Sequence, residues 1–329
     1  MLSRNLLLAL LGASGLSAAY QLESNVVYGM YSGLALLMDV YHPAQPNGYG
    51  IIQIAGSGWH SPQELSAPPL KESGQAKLYA ARLAEAGYTV FAISHRAAPR
   101  FKYPAAVQDA QRAVRFVRHN AARFGIRGDR IGASGGSSGG HLVSLLGVLD
   151  VKGDPQSSDP VQRHSAKVQC VVARAAPADM ILMGNSARGA TVASFMGMQG
   201  PRGKEEGTIE AKLYREASPL FQVTPDDAPF LLMHGDADDT VPFQHSEMME
   251  KALRQAGVAV KLLRVPNGGH GAEFPGASNP PDYMGAMISW FDEHLKAPPV
   301  RAGFLFSPTG GGAQGDACGL CRFLNVTRI

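Results

Sequence analysis

The chain has 329 residues, of which 45% are hydrophobic and 17% charged. That is enough apolar material for a substantial core, and nothing in it suggests extensive disorder. A formal net charge of +3 without a run of Lys or Arg argues against nucleic acid as the natural partner, since phosphate binding needs concentrated positive charge.

In chain order, Arg4, an apolar stretch from Leu6 to Leu16 and the small residues Ser17-Ala18-Ala19 read as a secretory leader cleaved after Ala19. The stretch is about half the ~20 residues a spanning helix needs, so the expectation is a secreted or periplasmic protein beginning at Tyr20, with no stable membrane anchor. Short β-rich runs follow at residues 34–41, 51–54, 89–93, 130–134, 168–174, 230–234 and 260–265. Helical patterns lie between most of them, at 75–86, 105–124, 142–149, 243–256 and 282–295. This alternation predicts an α/β fold with a mostly parallel sheet, helices on both faces and ligands at the carboxyl ends of the strands.

The expected main domain runs over 20–297. Residues 177–225, irregular and rich in Met and Gly, interrupt the alternation and read as a small cap, and 298–329 read as a Gly/Pro-rich tail. Cys170 sits in an apolar strand, where a buried inert thiol is expected. Cys318 and Cys321 form a lone C-x-x-C, better explained by a local disulfide or plain thiols than by zinc, which needs four ligands. Asn325-Val326-Thr327 is a glycosylation sequon.

The run Gly132-Ala133-Ser134-Gly135-Gly136-Ser137-Ser138-Gly139-Gly140 is the richest in chemistry. Gly-x-Ser-x-Gly fits it in three registers, centred on Ser134, Ser137 and Ser138. In isolation such a run is more often a linker, but here a strand precedes it and a helical pattern follows. A strand–turn–helix elbow exposes a serine only if the residues two before and two after it are small. All three registers meet that condition; only Ser137 leaves both flanking elements a reasonable length.

A serine nucleophile needs an imidazole base, and the base needs a carboxylate. The turn after strand 230–234 offers Asp236, Asp238 and Asp239, and the turn after strand 260–265 offers His270 between glycines. The order Ser, Asp, His fits an α/β-hydrolase and not the unrelated protease folds. An oxyanion would be met by the N–H of Ser138 and by the small-residue loop Ala55-Gly56-Ser57-Gly58-Trp59 after strand 51–54.

Gly135-Gly136-Ser137-Ser138-Gly139-Gly140-His141-Leu142 resembles the Gly-x-Ser-Ala-Gly-Gly-His-Leu elbow of the bacterial feruloyl-esterase-like and hormone-sensitive-lipase-like esterases of the α/β-hydrolase superfamily. The loop Ala55 to Trp59 is similar to their His-Gly-Gly-Gly-Trp. Tyr103-Pro104-Ala105-Ala106-Val107-Gln108-Asp109, and His234-Gly235-Asp236-x-Asp238 followed by Val241-Pro242, match further motifs. The resemblance spans about Val26 to Leu295. It implies Ser137 as nucleophile, Asp238 as acid and His270 as base, with Ser57, Gly58 and Ser138 holding the oxyanion and no metal or organic cofactor.

Two departures stand out: Ala55 replaces the usual histidine, and Ser57 replaces a glycine. Trp59, His60 and the Met180, Met183, Phe195 and Met196 side chains are expected along the substrate pocket, although core packing explains a Met or Phe equally well. The activity implied is hydrolysis of a small-molecule or carbohydrate-linked ester through an acyl-enzyme. A peptidase or amidase on the same fold, and a non-catalytic binding protein retaining it, are the alternatives. Acyl preference and oligomeric state are not written in these motifs.

Overall fold

A computed structural model describes residues 18–201 and 207–296. All but the last residues of the expected leader, and all of the tail with Cys318, Cys321 and Asn325, lie outside them. The strands are β1 (Tyr20–Tyr31), β2 (Leu34–Pro43), β3 (Gly50–Ile54), β4 (Thr89–Ile93), β5 (Ile131–Gly136), β6 (Cys170–Arg174), β7 (Phe230–Gly235) and β8 (Val260–Val265). The helices are α1 (Gly74–Glu85), α2 (Ala105–His119), α3 (Ser138–Val148), α4 (Met180–Gly184), α5 (Gly189–Met196), α6 (Ile209–Glu216), α7 (Gln244–Gln255) and α8 (Tyr283–Lys296).

One sheet holds all eight strands in the order β1-β2-β4-β3-β5-β6-β7-β8. β1 and β2 pair antiparallel, as do β2 and β4, and every pairing from β4 through β3 to β8 is parallel. The parallel strands β3 to β7 are buried along their whole length, as expected of a sheet covered on both faces. Alternate residues feed two cores. Phe230 and Leu232 of β7 join the α2, α3 and α7 side with Val114, Leu142 and Leu253. Leu231 and Met233 join the α1 and α8 side with Leu83, Met287 and Phe291. Cys170 lies in the second core as a free, buried thiol, and burial pushes its pKa up.

The sequence pattern does not reveal β1. It is an edge strand whose Leu22, Val27, Met30 and Tyr31 are exposed, and two register irregularities break its pairing with β2, so no period-2 apolar signal survives. α2 stops at His119, not at residue 124, where Asn120 turns its side-chain amide onto the Phe116 carbonyl (2.8 Å). The motif residue Asp109 is buried and forks onto the Arg96 guanidinium (2.8 and 2.9 Å) while accepting the Arg96 N–H (2.7 Å). This buried, fully hydrogen-bonded pair fixes the chain leaving β4 against α2.

Candidate active site

β5 ends at Gly136 and α3 begins at Ser138, so Ser137 is the one residue between them. Its backbone sits at φ 54°, ψ −126°, a region costly for a residue with a Cβ, on the order of 1–3 kcal/mol. The surroundings enforce it. The Ser137 N–H donates to the Arg174 carbonyl (2.8 Å), and its own carbonyl accepts the His141 N–H (2.9 Å). A Cβ on Gly135 would stand 2.4 Å from the Gly139 carbonyl oxygen, and one on Gly139 would stand 2.2 Å from the Ile54 oxygen. The two small residues flanking Ser137 are therefore steric requirements of this turn. Ser134 is a fully buried strand residue packed on Met287, and Ser138 opens α3.

The three sequence-predicted groups converge. His270 Nε2 accepts from the Ser137 hydroxyl (3.0 Å), and His270 Nδ1 donates to Asp238 Oδ2 (2.7 Å). Asp238 Oδ1 accepts the N–H groups of Thr240 (2.9 Å) and Val241 (2.8 Å). Burial opposes the charge on Asp238, but donation from His234, His270 and Val241 outweighs it and holds the carboxyl well below its ordinary range. The acid therefore stays ionised beside the imidazole.

The other two aspartates of this turn do different work. Asp236 takes Arg264 Nε and the Asn267 N–H (both 2.7 Å), tying the β7 and β8 turns together three residues before His270. Asp239 is exposed and accepts from the Thr240 hydroxyl. His234, buried at the end of β7, lies 3.3 Å from Asp238, donates from Nε2 to the Val241 carbonyl (2.9 Å) and accepts the Ser246 hydroxyl at Nδ1 (2.7 Å). It clamps the acid-bearing turn, and its one signal in the sequence is its place at the head of His234-Gly235-Asp236.

The oxyanion loop differs in part from expectation. The N–H groups of Gly58 and Ser138 carry no acceptor among the described residues. The Ser57 N–H, expected to join them, instead donates to the Ser138 side-chain oxygen (2.9 Å), and the Ser57 hydroxyl is buried without a partner. Ser138, an alanine in the family pattern, thus draws the Ser57 amide onto its own side chain. Ala55, where the family pattern has a histidine, offers the loop no side-chain hydrogen bond, and a brace comes from elsewhere. Gln75, at the start of α1, accepts the Gly56 N–H at Oε1. No sequence signal marks Gln75, because it lies 19 residues from the loop it holds.

Trp59 borders the cavity, as expected, but most of its ring is buried. Its ring stacks on Phe195 of α5 (4.7 Å between centroids, 15° between planes), and its Nε1–H donates to His141 Nδ1 (3.1 Å). His141 Nε2 donates in turn to the Ala217 carbonyl (2.7 Å). Burial pushes the His141 pKa down to about 4, so it works as a neutral bridge. His60 donates from Nδ1 to the Gly58 carbonyl and accepts the Ser194 hydroxyl of α5 at Nε2 (2.9 Å). Met180, Phe195 and Met196 are core residues, and of the four expected cap side chains only Met183 faces the cavity.

That cavity, about 580 Å³, is bordered by Ser137 and His270, by the 56–60 loop, by Gln75, and by Met183, Arg188 and Thr191 from α4, α5 and the turn between them. A larger groove of about 840 Å³ lies between the 34–37, 61–70 and 94–101 segments, without the Ser137 and His270 side chains. Among the described residues no group of three or more His, Cys, Asp or Glu is placed to hold a metal ion, and no helix is long and apolar enough to cross a membrane.

A family model described as BD-FAE matches residues 38–253, about two thirds of the chain and all of the site except His270. The chain belongs to the BD-FAE family. Its sheet is that of an α/β hydrolase, as the sequence resemblance implied. Esterase LipC of Mycobacterium tuberculosis is 30% identical over 263 residues, covering 77% of this chain and 60% of the relative. The chain spans about half to three fifths of the length of the curated relatives it matches. A truncated carbohydrate esterase from gut microbiota superposes with a TM-score of 0.70 at 30% identity, covering 85% of this chain and 98% of its own. An acetyl ester-xyloside bifunctional hydrolase from Caldicellulosiruptor lactoaceticus superposes with a TM-score of 0.67 at 25% identity, covering 85% and 98%.

Proposed function

We propose that this BD-FAE family member is a serine hydrolase of carboxylic esters that works through an acyl-enzyme. The observation that carries the reading is the unbroken relay Ser137–His270–Asp238, with both hydrogen bonds at 3.0 Å or shorter, under a cavity open to substrate. Ser137 Oγ attacks the ester carbonyl while His270 Nε2 takes its proton, and Asp238 stabilises the imidazolium that forms. Charge developing on the carbonyl oxygen is met by the N–H groups of Gly58 and Ser138, the latter at the positive end of α3. His270 returns its proton to the departing alcohol, then activates a water that cleaves the acyl-Ser137 ester and restores the hydroxyl.

The proposed substrate is a short acyl ester, acetyl above all, on a carbohydrate or other small alcohol. The modest cavity volume and the carbohydrate esterases among the structural neighbours support it. A fluorophosphonate probe followed by peptide mass spectrometry tests the nucleophile: the adduct is expected on Ser137 and absent from Ser137→Ala. Labelling at Ser134 or Ser138 refutes the assignment, and no labelling with no hydrolysis of aryl acetates favours a binding protein. We also propose export, supported by Arg4, the Leu6–Leu16 stretch and Ser17-Ala18-Ala19. Its check is whether the exported protein begins at Tyr20.

A further inference from the structure

Among the described residues no Asp or Glu side chain borders the cavity over Ser137, whereas Arg188 does. We propose that the esters turned over here carry a carboxylate on their alcohol portion, and that Arg188 at the cavity rim holds it; this rests on the esterase reading above.

Arg188 is exposed and immediately precedes α5. One of its Nη2 protons goes to the Thr240 hydroxyl oxygen (3.0 Å), and among the described residues no carboxylate pairs with it. The same Thr240 hydroxyl donates to Asp239 (3.2 Å), which does not border the cavity. The contact to Thr240 fixes the guanidinium at the rim while leaving the rest of its donor fork open, the geometry that takes a carboxylate through two parallel hydrogen bonds.

A second cation stands behind the cavity floor. The Arg174 side chain, at the end of β6, is 3% exposed, lies 3.3 Å over the Tyr79 ring, and has Nε and Nη2 without any acceptor. Its Nη1 and the Gln75 amide nitrogen stand 3.2 and 3.0 Å from the point where a Cβ on Gly136 would lie, next to the nucleophile. Among the described residues no carboxylate compensates this buried charge. With Arg188 in front and Arg174 behind, the field across the cavity favours an anion.

In this reading the acyl carbon of a substrate lies at Ser137 and the departing alcohol extends toward the rim, where Arg188 stands. The class indicated is therefore an acylated alcohol bearing a carboxylate, either a uronic acid sugar or an aromatic hydroxy acid.

Two neutral and anionic pairs test this: 4-acetoxybenzamide against 4-acetoxybenzoate, and O-acetylated methyl glucoside against O-acetylated methyl glucuronoside. The pair showing the larger preference identifies the source of the carboxylate. The full chain is expected to favour the anionic member about tenfold or more in kcat/KM at low salt, less at 0.5 M NaCl. That ratio is expected to collapse toward one in Arg188→Gln and to recover partly in Arg188→Lys. A ratio near one in the unsubstituted protein, or one unchanged by Arg188→Gln, overturns the proposal. If no ester is hydrolysed at all, the esterase reading falls and the carboxylate site is still tested by calorimetry with 4-methoxybenzoate and 4-methoxybenzamide. Tighter binding of the acid that is lost in Arg188→Gln supports it, and equal binding of the two overturns it.

Discussion

Gln75 offers a direct test of how the oxyanion loop is held. Its Oε1 is the acceptor for the Gly56 N–H, and Gly56 is packed so closely on the elbow that a Cβ there would lie 2.7 Å from the Gly136 carbonyl oxygen. In Gln75→Leu the side chain keeps most of its volume but loses the acceptor, leaving the Gly56 amide unpaired. An orphaned donor costs about 1–3 kcal/mol when buried, this part-buried amide lying toward the low end, and the loop escapes that cost by leaving the position that aims Gly58 at the substrate. The fraction of molecules with a competent loop then falls by a factor of about 5 to 150, from exp(ΔG/RT) over that range. Steady-state kinetics on 4-nitrophenyl acetate should show kcat/KM reduced by that factor, with fluorophosphonate labelling of Ser137 slowed in parallel. Gln75→Glu, which retains the acceptor, should recover most of the loss. If Gln75→Leu stays within twofold of the parent in both assays, Gln75 is not the brace.

The elbow makes a second prediction. A Cβ at Gly139 would need the β3 exit to retreat by roughly 1 Å, so Gly139→Ala should cost about 1–3 kcal/mol or more and most of the activity. Gly74→Ala, where a Cβ meets nothing within 4 Å, should be neutral or slightly stabilising; equal melting temperatures for the two would refute the packing argument. Asp238→Asn should lower kcat by about 10⁴ with little change in KM, the scale set by serine proteases that lose the carboxylate orienting their base; a loss under tenfold would remove Asp238 from the relay.

A last prediction concerns pH. Burial pushes His141 and His245 down to about 4, against about 6.5 in an unfolded chain. Between those values the unfolded chain holds protons that the folded one does not. Their stabilising contribution is therefore complete above pH ~6.5 and is lost as pH falls toward 4. Two such groups give a slope of about 2.4 kcal/mol per pH unit near pH 5. Urea midpoints at pH 7, 6 and 5 should fall accordingly, and a flat profile would mean that these imidazoles are not held neutral.

What could be read from the chain follows from how local each constraint is. β4 and β8 are legible to the residue because an apolar run bounded by turn residues is a local signal. The elbow is legible because its steric demands fall on Gly135 and Gly139, within two positions of the nucleophile. β1 escapes detection since half its side chains face outward and its register slips twice. Trp59 is legible as a pocket residue because its motif places it in the loop after β3, whereas its partners, Phe195 and His141, are set by distant parts of the chain. Gln75, His234 and the Ser138 hydroxyl act through tertiary contacts that no spacing rule encodes.

The departures Ala55, Ser57 and Ser138 belong together in this light. With alanine in place of the pattern's histidine at position 55, Gln75 approaching from α1 holds the Gly56 amide. A serine at 138 then reaches back across the elbow to the Ser57 amide, so the loop is pinned at two successive N–H groups by side chains from two different helices. The Trp59–His141 contact and the His60–Ser194 contact pin the two residues beyond Gly58. Four of the five residues from Gly56 to His60 are thus fixed by neighbours, and Gly58, between them, keeps its N–H free. Such a loop pays its ordering cost before substrate arrives, and donors held this way need no reorganisation as charge develops on the carbonyl oxygen. Substitutions that look like erosion of a motif when read one at a time therefore amount to a different set of supports for the same donor.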